Sequence, residues 1–183
     1  KSGPLMAASD SFKITVDGKG GHGAAPHMSI DPVVIAAQIT LALQTIVSRE
    51  TNPVSPAVLT IGKIEAGTKN NIIPSYCILE GTVRYFDKHS ESNIPNRIEA
   101  MAQGIAKAMG GEATLEYSYG YRPLINNNDI TELVRNAALS VVGPNNVADV
   151  EPTMGAEDMS YYLEKVPGTF VAIGTGTEEK GTG

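Results

Sequence analysis

A-V-L-T-I-G-K-I-E-A-G-T-K-N-N-I-I-P-S-Y-C-I-L-E-G-T-V-R-Y-F, residues 57–86, decides the fold. Residues 57–65 place Leu59 and Ile61 on one face of a strand. The turn A-G-T-K-N-N follows, far too short to hold a crossover helix. The next run, from Ile73 to Phe86, puts Cys77, Leu79, Val83 and Tyr85 on one side. Ile78, Glu80, Thr82 and Arg84 fall on the other, more polar side. Two strands joined this closely pair antiparallel.

The flanks extend the pattern symmetrically. Upstream, S-F-K-I-T-V-D over residues 11–17 alternates, with Phe12, Ile14 and Val16 sharing a face. A glycine-rich stretch, G-K-G-G-H-G-A-A-P-H over 18–27, separates it from a helix that starts at Asp31 as N-cap and Pro32 at the first helical position. That helix is apolar on most of its surface, which predicts contact on two sides: the sheet, and a second subunit. Downstream, a helix is predicted from about Pro95 to Met109, stopped by Gly110 and Gly111. A last strand carries Leu115, Tyr117 and Tyr119 at alternate positions. The order β-α-β-β-α-β over residues 11–120 is the ferredoxin-like arrangement, an antiparallel sheet with both helices on one face.

Beyond Pro123 the pattern changes. Asp129 is placed to cap a helix running to Gly143, M-G-A-E-D-M-S-Y-Y-L (154–163) reads as a short helix, and V-P-G-T-F-V-A-I-G (166–174) as a buried strand. These pieces read as part of an α/β domain that needs further chain to close its core. The division expected is therefore a hinge over 1–10, a ferredoxin-like domain over 11–120, and an incomplete α/β portion over 121–183. The ends themselves, K-S-G-P-L and E-E-K-G-T-G, read as cuts inside a larger protein.

A net charge of −6 and a pI near 5.0 argue against a nucleic-acid surface. No run of eighteen apolar residues is visible, so no membrane span is expected. Residues 1–10 carry no secretory pattern. The lone cysteine, Cys77, excludes an internal disulfide framework and fits a reducing, cytoplasmic compartment. It reads as a small buried hydrophobe rather than a catalytic thiol.

Three residues are candidates for chemistry. His22 sits among glycines at 18, 20, 21 and 23, which permit tight or left-handed turns and close backbone approach. It is either a plain surface-turn histidine or a group held out to donate a hydrogen bond. The His22 and His27 pair matches no usual zinc spacing, and no residue of the chain is assigned to a metal. Asn71, at the entrance of the third strand, can cap its own turn or bind a ligand. Arg84, thirteen residues on, is a solvated side chain, half of a cross-strand ion pair, or a fork for a carboxylate.

Taken in order, G-K-G-G-H-G-A-A-P-H, D-P-V-V-I-A-A, N-I-I-P, G-T-V-R and M-G-A-E-D-M-S-Y-Y resemble the M20 family of metal-dependent peptidases and amidohydrolases. The branch that cleaves N-acyl amino acids, hippurate hydrolase among them, is the nearest match. The resemblance implies a two-domain enzyme: an α/β catalytic domain with two divalent metal ions, zinc or manganese, and an inserted ferredoxin-like lid that forms a homodimer. It implies that His22 reaches the partner's active site and helps polarise the scissile carbonyl, and that Asn71 and Arg84 bind the carboxylate of a small N-acyl amino acid or peptide substrate. The family's metal motifs and its Glu-Glu segment are absent here, so the chain alone is expected to be inactive. A non-catalytic ferredoxin-like dimerisation or ligand-binding module is the rival expectation.

Overall fold

A computed structural model describes residues 1–174, apart from the side chains of residues 88, 89 and 92. In chain order the elements are β1 (Gly3–Met6), β2 (Ser9–Asp17), β3 (Gly21–His22), α1 (Pro32–Thr45), β4 (Val58–Ala66), β5 (Ile72–Ile73), β6 (Tyr76–Arg84), α2 (Lys88–Ala108), β7 (Glu112–Tyr121), β8 (Leu124–Asn126), α3 (Asn128–Val142) and α4 (Met159–Leu163).

Four strands form one antiparallel sheet in the order β4-β6-β2-β7. The hairpin expected over residues 57–86 is the β4-β6 pair at one edge. A bulge between Ile61 and Lys63 changes the parity of β4, so that Lys63 faces Glu80 and Ile64 faces Leu79. Alternation along the strands makes the core. Phe12, Ile14, Val16, Cys77, Leu79, Val83 and Tyr85 are all buried on one face, against Ile35, Ile39 and Leu43 of α1 and Ile94, Ile98, Ala102 and Ala106 of α2. The opposite face carries ion pairs such as Lys13 with Glu116 at 2.8 Å. The ferredoxin-like, mixed α/β reading therefore holds.

Helix α1 begins where the sequence says it should. Asp31 accepts a hydrogen bond from the Val33 N–H at 2.9 Å, and Pro32 follows it. Such a cap contributes about 1 kcal/mol. The helix widens at its end, where the Thr51 N–H bonds the Ile46 carbonyl five residues back. With that turn, Pro32–Glu50 spans 19 residues at a mean hydropathy of 1.3, enough by length and composition to cross a membrane. The helix buries Ile35, Ile39, Leu43 and Ile46 on the sheet, so it reads as a core helix. Val33, Val34 and Leu41 remain exposed on its outer side.

Other expectations are corrected too. Helix α2 starts at Lys88, not near Pro95, because Asp87 caps it: its carboxylate accepts from the Ser90 N–H and Oγ, both at 2.9 Å. Pro95 lies inside the helix. An interior proline costs about 3 kcal/mol, and the burial of Ile94 and Ile98 on either side offsets it. The long third strand is split by Pro74, which has no N–H for a ladder, into β5 and β6. Helix α3 is capped by Asn127, whose side chain accepts from the Ile130 N–H at 3.1 Å, and not by Asp129.

Residues 166–174 form no strand and are mostly exposed. An apolar run becomes a strand only where another strand takes its backbone groups. Here Phe170 bonds the Asn126 side chain through both its N–H and its carbonyl, and Gly168 accepts from the Asn127 N–H. Residues 1–10, expected as a hinge, include β1, which pairs antiparallel with β8.

Candidate functional site

The glycine-rich stretch is a strap laid across the tip of the sheet. The Gly18 N–H bonds the Ser75 carbonyl at 2.9 Å, and Lys19 and Ile30 exchange backbone bonds at 2.8 and 2.9 Å. Gly21–His22 then pairs with Ile72–Ile73 as a two-residue ladder, and the Gly23 N–H donates to the Asn71 carbonyl at 2.8 Å. None of the four glycines takes a positive φ. Their role is close approach: a Cβ on Gly23 would lie 3.1 Å from the Asn71 carbonyl oxygen. Of the two uses anticipated for these glycines, the close backbone approach is the one found, and no left-handed turn occurs among them.

The strap holds His22 exposed and oriented. Its Nδ1 accepts a hydrogen bond from the Ala24 N–H at 3.1 Å. In the neutral ring the proton must then sit on Nε2, so the outward nitrogen is a donor. His22 pairs in register with Ile72, which is 44% exposed, and Met28 on the following turn is 67% exposed. An apolar rim around a polar tip is what a surface covered by another body presents.

Arg84 lies elsewhere. It ends β6, opposite Val58, and its guanidinium donates to the Met154 carbonyl at 3.3 Å. The 153–155 loop is held there by the segment before the sheet. The Ala7 N–H bonds both the Thr153 and Gly155 carbonyls, at 3.1 and 2.9 Å, and the Thr153 N–H bonds Leu5 at 2.9 Å. Asn71 precedes the start of β6 and Arg84 is its last residue. At about 3.3 Å per residue β6 is roughly 26 Å long from Tyr76 to Arg84, and the His22–Ile72 ladder with Asn71 lies past its Tyr76 end. The structure thus brings His22 and Asn71 together and leaves Arg84 at the opposite end of the sheet.

Sequence reasoning missed one group of residues at that opposite end. Asp10, only 2% exposed, accepts from the Tyr85 and Tyr117 hydroxyls at 2.9 Å each and from the Gly120 N–H at 3.0 Å. The signal was available: Asp10 occupies the same register as Phe12, Ile14 and Val16, so an acid there points inward. Burial, and then Asp10, pushes both phenols far above the ordinary tyrosine range.

The sign of the consequence is definite. An unfolded tyrosine titrates near pH 10, where both buried phenols still hold their protons. Above that pH the unfolded state sheds protons that the fold retains, so stability is intact below and falls as pH rises. Melting temperatures from about pH 8 to about pH 11 should therefore drop more steeply in the wild type than in Tyr117→Phe. Parallel curves would contradict the assignment.

Near the Arg84 end a cleft of about 410 Å³ opens between Phe86, Glu91, Arg122, Ser160, Leu163 and Glu164, and Arg122 is paired with Glu91. None of the three candidate residues lines it. Among the described residues, no three His, Cys, Asp or Glu side chains gather to hold a metal ion.

Known proteins are similar to this chain in sequence and fold. The peptidase dimerisation domain of the M20 family matches residues 8–110. The N-acetyl-L-cysteine deacetylase of Bacillus subtilis is 45% identical over 179 residues, covering 96% of this chain and 42% of that protein. Thermostable carboxypeptidase 1 of Saccharolobus solfataricus is 38% identical over 182 residues, covering 99% of this chain and 46% of that protein. The crystal structure of the Bacillus subtilis YXEP protein, described as a dinuclear metal binding peptidase from the M20 family, superposes with a TM-score of 0.75 at 32% identity. That match covers 93% of this chain and 42% of the other. The chain spans less than half the length of these relatives.

Proposed function

We propose, on the premise that this chain belongs to the M20 peptidase family, that it supplies the lid, the dimer contact and the carboxylate-binding side of a metal-dependent amidohydrolase. The substrates are N-acyl amino acids or small peptides, cleaved to a carboxylic acid and an amino acid. Residues 11–120 act as the lid, residues 1–10 as its connection, and 121–183 as part of the catalytic domain; residues 175–183 lie outside the described structure. The two metal ions, zinc or manganese, belong in this reading to other parts of the enzyme. The compartment is the cytoplasm, which suits a chain with one thiol.

One observation carries the reading: His22 and Asn71 lie past one end of β6 and Arg84 closes the other, with roughly 26 Å of strand between the two ends. No small substrate bridges that distance within one protomer. Two protomers related by a two-fold axis resolve it, each site taking Arg84 from its own chain and His22 with Asn71 from the partner. The exposed Val33, Val34 and Leu41 of α1 and the open edge of β4 suit such a contact. Arg84 then grips the substrate carboxylate through its planar fork. The Nε2–H of His22 donates to the amide oxygen as negative charge develops there. Asn71, brought by the same partner chain as His22, adds its amide hydrogen bond to the carboxylate that Arg84 holds.

The full-length enzyme, loaded with divalent metal, should hydrolyse members of a panel of N-acyl amino acids. Arg84→Ala should raise KM at least on the order of tenfold with a smaller change in kcat, as loss of a ground-state contact requires. Absence of hydrolysis across the panel would remove this function.

A further inference from the structure

The Asp10 cluster is placed where the lid joins the rest of the chain. Asp10 is the second residue of β2, Tyr85 is the residue just past the Arg84 end of β6, and Tyr117 and Gly120 belong to β7. One carboxylate therefore ties three neighbouring strands at the same end of the sheet. The Thr82 hydroxyl adds a bond to the Asp10 carbonyl at 2.8 Å. β7 closes on β2 here through a bulge, and a Cβ on Gly120 would lie 1.9 Å from the Ser9 carbonyl oxygen. Only glycine lets the strand come close enough to aim its N–H at Asp10.

Both chain crossings pass through this point. On the entering side, the Ala8 N–H bonds the Tyr85 carbonyl at 2.8 Å, and Ala7 bonds Thr153 and Gly155. On the leaving side, Gly120 is followed by Tyr121 and Arg122. Asp10 is thus linked through consecutive backbone bonds both to the residue beside Arg84 and to the loop whose Met154 carbonyl Arg84 touches. A buried carboxylate is a poor choice for stability alone, since well-packed apolar residues of the same volume often do as well or better. Its return is directional: three donors converge on it, two of them phenols that stay protonated.

We propose that Asp10 is a positioning residue, whose carboxylate locks the base of the lid and so sets where Arg84 meets the substrate carboxylate. The inference rests on the role given to Arg84 above. A mis-set guanidinium weakens substrate binding, whereas a merely loosened fold reduces the amount of active enzyme. The two differ in KM against kcat.

The test uses the full-length, metal-loaded enzyme with an N-acyl amino acid that the wild type hydrolyses. Asp10→Asn is expected to raise KM on the order of tenfold with kcat little changed. Tyr117→Phe, which leaves two donors in place, should move KM the same way by less. Arg84→Ala is run beside them. If Arg84→Ala leaves KM unchanged, the reading of Arg84 fails and this inference with it. If Arg84→Ala raises KM and Asp10→Asn does not, or lowers only kcat, this inference alone is overturned. Should Asp10→Asn fail to fold, Tyr117→Phe decides by the same comparison.

Discussion

Replacing His22 by alanine in the full-length dimer is expected to lower kcat on the order of a hundred- to a thousandfold. KM and metal content should change little. The expectation follows from where the ring sits and how it is held. Ala24 occupies Nδ1, so the neutral imidazole offers Nε2–H outward, at an exposed tip braced by the ladder to Ile72. A donor that meets charge only as it forms stabilises the transition state and not the bound substrate. Its loss therefore appears in turnover. His22 belongs to no metal-ligand cluster among the described residues, so metal analysis of the variant should match the wild type. Wild-type turnover in His22→Ala would take the imidazole out of the mechanism.

Mixing two crippled variants should restore activity. In the proposed dimer each site draws Arg84 from one chain and His22 from the other. A dimer of one His22→Ala protomer and one Arg84→Ala protomer then has one fully intact site and one doubly damaged site. Random pairing of equal amounts makes half the dimers mixed. With one good site of two in each, about a quarter of wild-type activity returns at low substrate concentration. Each variant alone should stay far below that level. If both residues served the same site from one chain, every site in the mixture would carry one lesion and no recovery would occur. The measurement is kcat/KM of the co-expressed mixture, and mixed dimers isolated from it by two different affinity tags should reach about half of the wild-type value. Mixed dimers as inactive as their parents would sink the shared site.

The elements were legible where the signal is local. The antiparallel β4-β6 pairing, the alternation of Phe12, Ile14 and Val16, and the Asp31–Pro32 helix start are set by neighbours in sequence and appear as expected, apart from the break at Pro74. Boundaries that depend on competition between caps were less legible. Asp87 outcompetes the proline signal eight residues later, and Asn127 outcompetes Asp129, because the winning cap is whichever side chain reaches the right N–H. The apolar run at 166–174 lacked a strand partner, which no property of its own residues could reveal. Of the site, His22, Asn71 and Arg84 could each be named from motif resemblance. Their grouping could not.

By itself the sequence determined the ferredoxin-like order of strands and helices and the buried face of each. Periodicity and turn chemistry act over a few residues, and six such segments in series leave little choice of fold. Tertiary structure alone decided that His22 and Asn71 share one end of the sheet while Arg84 occupies the other, and that Asp10 sits beneath Arg84 among two tyrosines. Those relations come from strand register and from bonds between residues as many as 110 positions apart, and distance along the chain carries no information about them.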